Sequence, residues 1–164
     1  MKYYFFNQKI NTDTVNELVD RLQDIEGKIN LFFSTNGGQL DSMRYLISFL
    51  NSRKKDIIIT LTDRLVSVGT LLLTDFEGEI VINEGLDFIL FHMWDRESYS
   101  LRVDITISDK ILTKQDKAGN LFFAEKLKNK KLLNDKQIKQ FLQGKDVVLY
   151  KDTFSKWKYK QEII

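Results

Sequence analysis

Short apolar runs alternate with amphipathic segments along residues 1–92 of the chain. Five runs have the length and composition of buried β-strands, at residues 3–6, 29–33, 57–61, 79–82 and 88–91. Helices are predicted between them, by helical spacing of apolar residues over 15–25 and 40–50 and by the near-uniform apolarity of 67–73. This repeated strand–helix order favours parallel strands joined by right-handed crossovers, so the predicted fold class is α/β.

The second half of the chain carries weaker signals. Residues 101–107 alternate like a strand, although several of their apolar side chains could also share a helix face. A mostly helical pattern holds over residues 110–128, with an interruption predicted at Gly119 and Asn120. The segment is therefore expected to be largely helical, with an ambiguous beginning.

Cap and stop residues support the predicted boundaries. Asn11 precedes the first helix and Gly27 follows it, as expected of an N-cap and a C-terminal stop. Asn134 and Gly144 bracket a further amphipathic helix in the same way. A last strand is predicted at residues 147–150, which are apolar except for one tyrosine.

Composition excludes several classes of protein and of site. With 164 residues, 43% of them hydrophobic and 29% charged, the chain suits one globular domain over residues 1–164. A net charge of +2 does not favour nucleic acid as a partner. There is no cysteine and His92 is the only histidine, which excludes disulfides, thiolate chemistry and a Cys/His zinc site. No signal peptide and no run of roughly 18 apolar residues is found, so we expect a cytoplasmic protein without a membrane partner.

Three of the predicted strands deliver chemically useful groups at their carboxyl ends. The strand at 29–33 continues into Ser-Thr-Asn-Gly-Gly, the strand at 57–61 leads to Ser67, and the strand at 88–91 ends on His92. Ligands and chemistry collect at the carboxyl ends of strands in α/β folds. A serine, a histidine and glycine backbone donors are the parts of an acyl-transfer site.

Each of these signals also has an ordinary structural explanation. A serine before an apolar run is most often a helix cap, and a double glycine is most often a flexible turn. A single histidine at a strand end is most often packed or hydrogen-bonded. Ser67 suits a nucleophile only on a tight strand-to-helix turn that exposes its hydroxyl, and a neutral His92 would then suit a general base.

The order and spacing of three motifs resemble the proteolytic subunit of the Clp protease, a family of the ClpP/crotonase fold. Leu-Phe-Phe-Ser-Thr-Asn-Gly-Gly at 31–38 is similar to that family's strand ending in Ser-Pro-Gly-Gly, with Asn36 in place of proline. Val-Ser-Val-Gly-Thr-Leu-Leu-Leu at 66–73 is similar to its nucleophile turn, and Ile-Leu-Phe-His at 89–92 to its Ile-Met-Ile-His strand. The resemblance covers roughly residues 4–150 and implies a spiral of parallel βαβ units.

The resemblance implies a role for each matching residue. Ser67 takes the place of the nucleophile and His92 that of its base, while the backbone N–H groups of Gly38 and Val68 take the place of the oxyanion hole. Alignment of a helix near the carboxyl terminus puts Lys130 where the family has its triad aspartate. The acid is therefore missing from its usual position. The residues that could orient the imidazole instead are Asn129, Asp135 and Asp95.

The chain departs from the family in further segments. Residues 93–98 are bulky and charged where the family has a glycine-rich strand that pairs with substrate. The handle, at about 101–130, is shorter by about three helical turns, and in the family this handle stacks two rings. The family's axial loops, which engage an ATP-driven unfoldase, have no counterpart before the first strand, so unfoldase docking is not expected. The lysine-rich tail at 151–164 is expected to be a solvated edge rather than a nucleic-acid surface.

The function that this resemblance implies is a divergent Clp-like serine peptidase that cleaves peptides or unfolded proteins, with no metal or organic cofactor. The first alternative is a weak or inactive homologue that serves as a structural or regulatory subunit. The second is a crotonase-like acyl-CoA enzyme, against which the serine and histidine at peptidase positions argue. The expected assembly is a homo-oligomer, or a hetero-oligomer with a ClpP homologue.

Overall fold

The computed structural model describes residues 1–93 and 108–162. The chain divides into two compact units, Met1–Leu90 with Val148–Ile164 and Phe91–Val147. The single domain over residues 1–164 stays a prediction.

The first unit contains most of the strands, and its elements confirm the predicted α/β class. In chain order the elements up to the unit boundary are β1 Lys2–Asn7, α1 Thr12–Gln23, β2 Ile29–Thr35, α2 Leu40–Ser52, β3 Ile57–Val66, the 3-10 turn η1 Ser67–Thr70, α3 Leu71–Asp75 and β4 Glu79–Phe91. The elements after residue 146 are β5 Val147–Tyr150, α6 Lys151–Phe154 and β6 Lys160–Glu162.

The strands form a six-stranded sheet in the order β1-β2-β3-β4-β5, with β6 paired to β4. The pairs β1–β2, β2–β3 and β3–β4 are parallel, and a helical segment connects the strands of each pair. The predicted succession of parallel strand–helix–strand units is therefore confirmed for this part of the chain.

Helices α1 and α2 bury the apolar faces that the sequence predicts. In α1, Asn11 forms a capping box: its side chain accepts from Thr14 N at 2.9 Å, and Thr14 Oγ1 accepts from Asn11 N at 3.2 Å. The residues that face the core share helical spacing and are Val15, Leu18, Val19 and Leu22 in α1, with Met43, Leu46, Ile47 and Leu50 in α2. The two helices pack against each other.

Strands β3 and β4 are longer than predicted, because they stay paired beyond a shift in register. The expected break at residues 83–85 is a bulge inside one continuous β4: Leu61 pairs with Ile82, and Asp63 pairs with Leu86. Asp63 has a φ of +55° at this shift in register. Pairing with β3 continues beyond the bulge, so the prediction of two separate strands was wrong, as was the end of β3 at residue 61.

The second unit holds the helices α4 (Ser108–Asn129) and α5 (Asp135–Leu142). The predicted interruption at Gly119 and Asn120 was wrong, since α4 runs through both residues and the Asn120 side-chain amide donates to Asp116 O at 2.8 Å. The cap predicted at Asn134 is confirmed by a capping box with Gln137. Phe123 and Phe141 join α4 to α5 edge-to-face, with ring centroids 5.9 Å apart. The ambiguous residues 101–107 lie outside the described residues.

The tail after β5 contains the short helix α6 and the strand β6, and its aromatic side chains contact one another. Phe154 is buried, Trp157 lies between the rings of Phe154 and Tyr159, and Lys160 begins the strand that pairs with β4. Lys156 and Lys158 are exposed, as expected. Across the described residues, no helix has the length and apolarity of a membrane span.

Candidate functional site

Ser67 lies where β3 ends and η1 begins, in a strained backbone conformation. Its φ is +56°, in the left-handed region that costs a residue with a side chain about 1–2 kcal/mol. The Ser67 side chain is partly exposed, and within the described part of the first unit no group hydrogen-bonds to its hydroxyl. A strained turn between a strand and a helix, with the hydroxyl presented, is the geometry of a nucleophilic serine.

The first glycine after β2 lies directly against this serine. A Cβ built on Gly37 would be 2.8 Å from Ser67 Cβ, 3.4 Å from Ser67 Oγ and 3.0 Å from Val66 O. Gly37 also has a φ of +91°, which favours glycine for a second reason. The carboxyl ends of β2 and β3 therefore meet at Gly37 and Ser67, as the sequence predicts for neighbouring parallel strands.

The glycine loop is held by the segment that follows β1. Ile10 N donates to Gly37 O at 2.8 Å, and Gln39 N donates to Ile10 O at 2.8 Å. A Cβ built on Gly38, whose φ is +149°, would be 2.0 Å from Ile10 O. A side chain at Gly38 would break this backbone bridge, so the second glycine is required by the fold whatever its role in a reaction.

Thr35 connects the glycine loop to the serine turn. It is fully buried, donates from Oγ1 to Gln8 O at 2.7 Å and accepts from Gly37 N at 3.0 Å. Its methyl group lies close to η1, since a Cβ built on Gly69 would be 2.5 Å from Thr35 Cγ2. The Thr35 side chain thus positions Gly37 through a hydrogen bond and packs closely against η1 at Gly69.

The two predicted oxyanion donors, the N–H groups of Val68 and Gly38, have different surroundings. Val68 is the second residue of η1, so its N–H has no partner within that turn. The turn is held by Thr70, whose Oγ1 donates to Ser67 O at 2.6 Å. Gly38 is buried beside Ile10. Its N–H stays a predicted oxyanion donor.

A polar cluster lies at the rim of the same strand ends. Arg64 donates from Nε to Asn36 Oδ1 and pairs through Nη1 with Asp63 Oδ2. Ser34 Oγ donates to Arg64 O at 3.2 Å. Asn36, at the position where the Clp family has proline, therefore carries a side-chain contact between the loop after β2 and the end of β3.

In the second unit, the imidazole of His92 lies near a carboxylate, a contact that the sequence did not predict. His92 follows the last residue of β4, and its Nδ1 is 3.6 Å from Oδ1 of Asp146, the residue before β5. Both side chains are about half exposed, at 47% and 56%. Ser67 belongs to the first unit and His92 to the second, so the predicted approach of their side chains stays a prediction.

The three residues predicted to orient the imidazole have other surroundings. Asn129 is the exposed last residue of α4. Asp135 pairs with Lys128 at 2.8 Å, and this hydrogen bond and its charge raise the pKa of the Lys128 ammonium. Asp95 lies outside the described residues. Among the carboxylates that the structure describes, Asp146 is the one within ion-pair distance of His92.

Two residues of the site were missed by reasoning from sequence, Thr35 and Asp146. A usable signal existed for Asp146, because it immediately precedes a predicted strand as His92 immediately follows one, and β4 and β5 are neighbours in the sheet. No comparable signal marks Thr35, since its role depends on contacts with Gln8, Gly37 and Gly69.

No protein-family model matches the chain, and no curated protein is significantly similar to it. Within the described ranges, no group of three or more histidine, cysteine, aspartate or glutamate side chains could hold a metal ion. The argument for a function therefore depends on the motifs and on the geometry around Ser67.

Proposed function

We propose that the chain is a divergent Clp-like serine peptidase of the ClpP/crotonase fold, with Ser67 as nucleophile and His92 as general base. The observation that carries the proposal is the left-handed backbone of Ser67 at the end of β3, with its side chain against Gly37. A serine held in a costly conformation on a strand-to-helix turn is typical of a nucleophile. The parallel strand–helix–strand units support the fold assignment.

In the proposed reaction, Ser67 Oγ attacks the carbonyl carbon of the substrate while its proton passes to Nε2 of His92. Val68 N–H, with Gly38 N–H as the second predicted donor, stabilises the negative charge that develops on the carbonyl oxygen. His92 then gives the proton to the leaving amine or alcohol. Water hydrolyses the acyl-enzyme, with His92 again acting as base.

The proposed substrates are short peptides and unfolded segments. The segment after His92 is bulky and charged where the Clp family pairs with its substrate backbone, so weak turnover of small activated peptide esters is expected. Folded proteins would not be degraded without a partner.

The second candidate function is a weak or inactive subunit of a Clp-type assembly. The observation that favours it is the surroundings of two residues predicted to orient the imidazole: Asn129 is exposed, and Asp135 is paired with Lys128. If no acid orients the imidazole, a serine–histidine pair loses up to about 10⁴-fold in turnover. This candidate predicts a protein that assembles but does not react with substrate.

Labelling with a serine-directed phosphonate, followed by peptide mapping, separates the two candidates. The peptidase proposal requires a single adduct on Ser67, absent from Ser67→Ala and retained in Ser155→Ala, which removes an exposed serine hydroxyl elsewhere. His92→Ala should slow hydrolysis of a small peptide ester by about 10²–10⁴-fold. Neither labelling nor hydrolysis by the parent would favour the inactive subunit, and hydrolysis unchanged in Ser67→Ala would assign the activity to another site.

A further inference from the structure

The chain's only histidine is paired with a carboxylate that no motif marks. His92 Nδ1 lies 3.6 Å from Asp146 Oδ1. The contact uses Nδ1, which leaves Nε2 as the ring nitrogen available to a serine hydroxyl. A carboxylate at Nδ1 and a reacting hydroxyl at Nε2 is the arrangement by which an aspartate holds a catalytic imidazole in the correct tautomer.

The backbone of Asp146 is fixed on both sides. Gln140 Nε2 donates to Asp146 O at 2.7 Å, and Lys145 N donates to Gln140 O at 3.2 Å. Gly144, with a φ of +76°, reverses the chain after α5. Val147, the next residue, is buried at the start of β5. The carboxylate therefore extends from the short segment between α5 and β5, whose backbone is held by hydrogen bonds.

The imidazole is anchored in a comparable way. His92 directly follows Phe91, which is fully buried at the end of β4. Phe91 is buried next to His92, and the backbone of Asp146 is held by hydrogen bonds. These two constraints limit the relative movement of the two side chains. The pair is half exposed, so water competes for both partners and the effect on the imidazole is smaller than that of a buried aspartate.

We propose that Asp146 is the positioning residue of His92, and so replaces the acid that is missing at Lys130. This inference rests on the proposed peptidase function, because a positioned imidazole matters to turnover only if His92 is the base. Asp146 holds the proton of the neutral imidazole on Nδ1, leaves the Nε2 lone pair to accept a proton, and stabilises the imidazolium that forms when Ser67 attacks.

The test compares Asp146→Ala with Asp135→Ala, an exposed aspartate that pairs with Lys128 instead. We expect Asp146→Ala to lower kcat/KM for a small peptide ester by about 10- to 10³-fold, below the roughly 10⁴-fold effect of a buried aspartate. Asp135→Ala should leave kcat/KM unchanged, and Asp146→Glu should restore part of the loss.

A second readout does not depend on activity. Because His92 is the only histidine, the ¹⁵N chemical shifts of one imidazole report its tautomer without assignment ambiguity. At about pH 9, where an ordinary imidazole is neutral, the parent should carry its proton on Nδ1. Asp146→Ala should shift the population towards Nε2–H, and Asp135→Ala should not.

The outcomes separate this inference from the proposed function. Ser67-dependent hydrolysis that is unaffected by Asp146→Ala overturns the positioning role and leaves the peptidase standing. An unchanged tautomer in Asp146→Ala overturns the positioning role even if the rate falls. A parent that shows no hydrolysis and no labelling of Ser67 overturns both.

Discussion

Gly37 and Ser67 lie so close that a Cβ on Gly37 would be 2.8 Å from the Cβ of Ser67. The glycine leaves open the space into which the serine side chain turns. It also brings the loop after β2 against the strained residue at the end of β3. This contact joins two motifs that are 30 positions apart in the sequence.

Gly37→Ala should therefore damage the serine turn specifically. The new methyl group meets Ser67 Cβ and Val66 O, so Ser67 must shift, and labelling of Ser67 by a phosphonate should slow by at least about tenfold, equivalent to about 1.4 kcal/mol. Gly27→Ala is the matched control, because Gly27 also has a positive φ, +84°, but nothing lies within 4 Å of its added Cβ. Equal labelling rates in the two variants would contradict the contact.

Ser67→Gly and Ser67→Ala should differ in stability. Both remove the hydroxyl, but only glycine relieves the left-handed backbone of residue 67, which costs about 1–2 kcal/mol in a residue with a Cβ. We expect the free energy of unfolding, measured by urea denaturation, to be about 1 kcal/mol higher for Ser67→Gly than for Ser67→Ala, a net value after the entropy of the added glycine. An alanine variant as stable as the glycine variant would show that Ser67 is not strained.

Gly69→Leu should lower the free energy of unfolding by about 3 kcal/mol or more. A Cβ at this position would be 2.5 Å from Thr35 Cγ2 and 3.2 Å from Leu65 Cδ1, both in the core of the first unit. The same substitution at Gly119, which lies inside α4 with nothing within 4 Å of its added Cβ, should be neutral or stabilising by up to about 1 kcal/mol. Comparable melting of Gly69→Leu and the parent would rule out this packing of η1.

Tyr159 should make stability depend on pH above pH 10. Burial raises the pKa of its hydroxyl from 10.0 to about 12, and the hydroxyl donates to Leu73 O at 2.7 Å. Between these values the unfolded chain loses the proton while the folded chain keeps it. The free energy of unfolding then falls as pH rises, by at most about 1.4 kcal/mol per pH unit, and by less because the side chain is partly exposed. Below pH 10, Tyr159 does not make the free energy of unfolding depend on pH.

The measurement is urea denaturation of Tyr159→Phe against the parent between pH 9 and 12. The parent should lose its advantage over the variant across this interval. Tyr150→Phe is the control, because Tyr150 is 61% exposed and its loss should leave the slope unchanged. A parent and a Tyr159→Phe variant with parallel curves would contradict the burial of this hydroxyl.

If the chain has the proposed Clp-like fold, its short handle should limit assembly. We expect light scattering of the purified chain to show a single ring, a smaller oligomer, or a larger particle only when a full-length ClpP homologue is added. The reason is that the handle predicted from the sequence, at about 101–130, is shorter by about three helical turns than the handle that stacks two rings in the Clp family. A stable double ring of this chain alone would be the contrary result.

Much of the fold was predictable because the signals are local. The caps at Asn11 and Asn134 bond to residues three positions away, and the buried faces of α1 and α2 follow from helical spacing. The bulge in β4 was not predictable. Asn83 accepts from Gly85 N at 2.8 Å, which is a turn signal, yet pairing with β3 continues past it and keeps the strand intact.

The sequence by itself determined the alternation of strands and helices from β1 to α3, the parallel connection of β1 to β4, and the placement of Ser67 and the two glycines at strand ends. Only the tertiary structure decided that Gly37 lies against Ser67 and that Thr35 contacts both the glycine loop and η1. It also decided that Asp146 lies beside His92. The physical reason is the range of the interactions. Helix caps and apolar periodicity act between residues a few positions apart, whereas these contacts exist only once strands distant in the chain have paired in register.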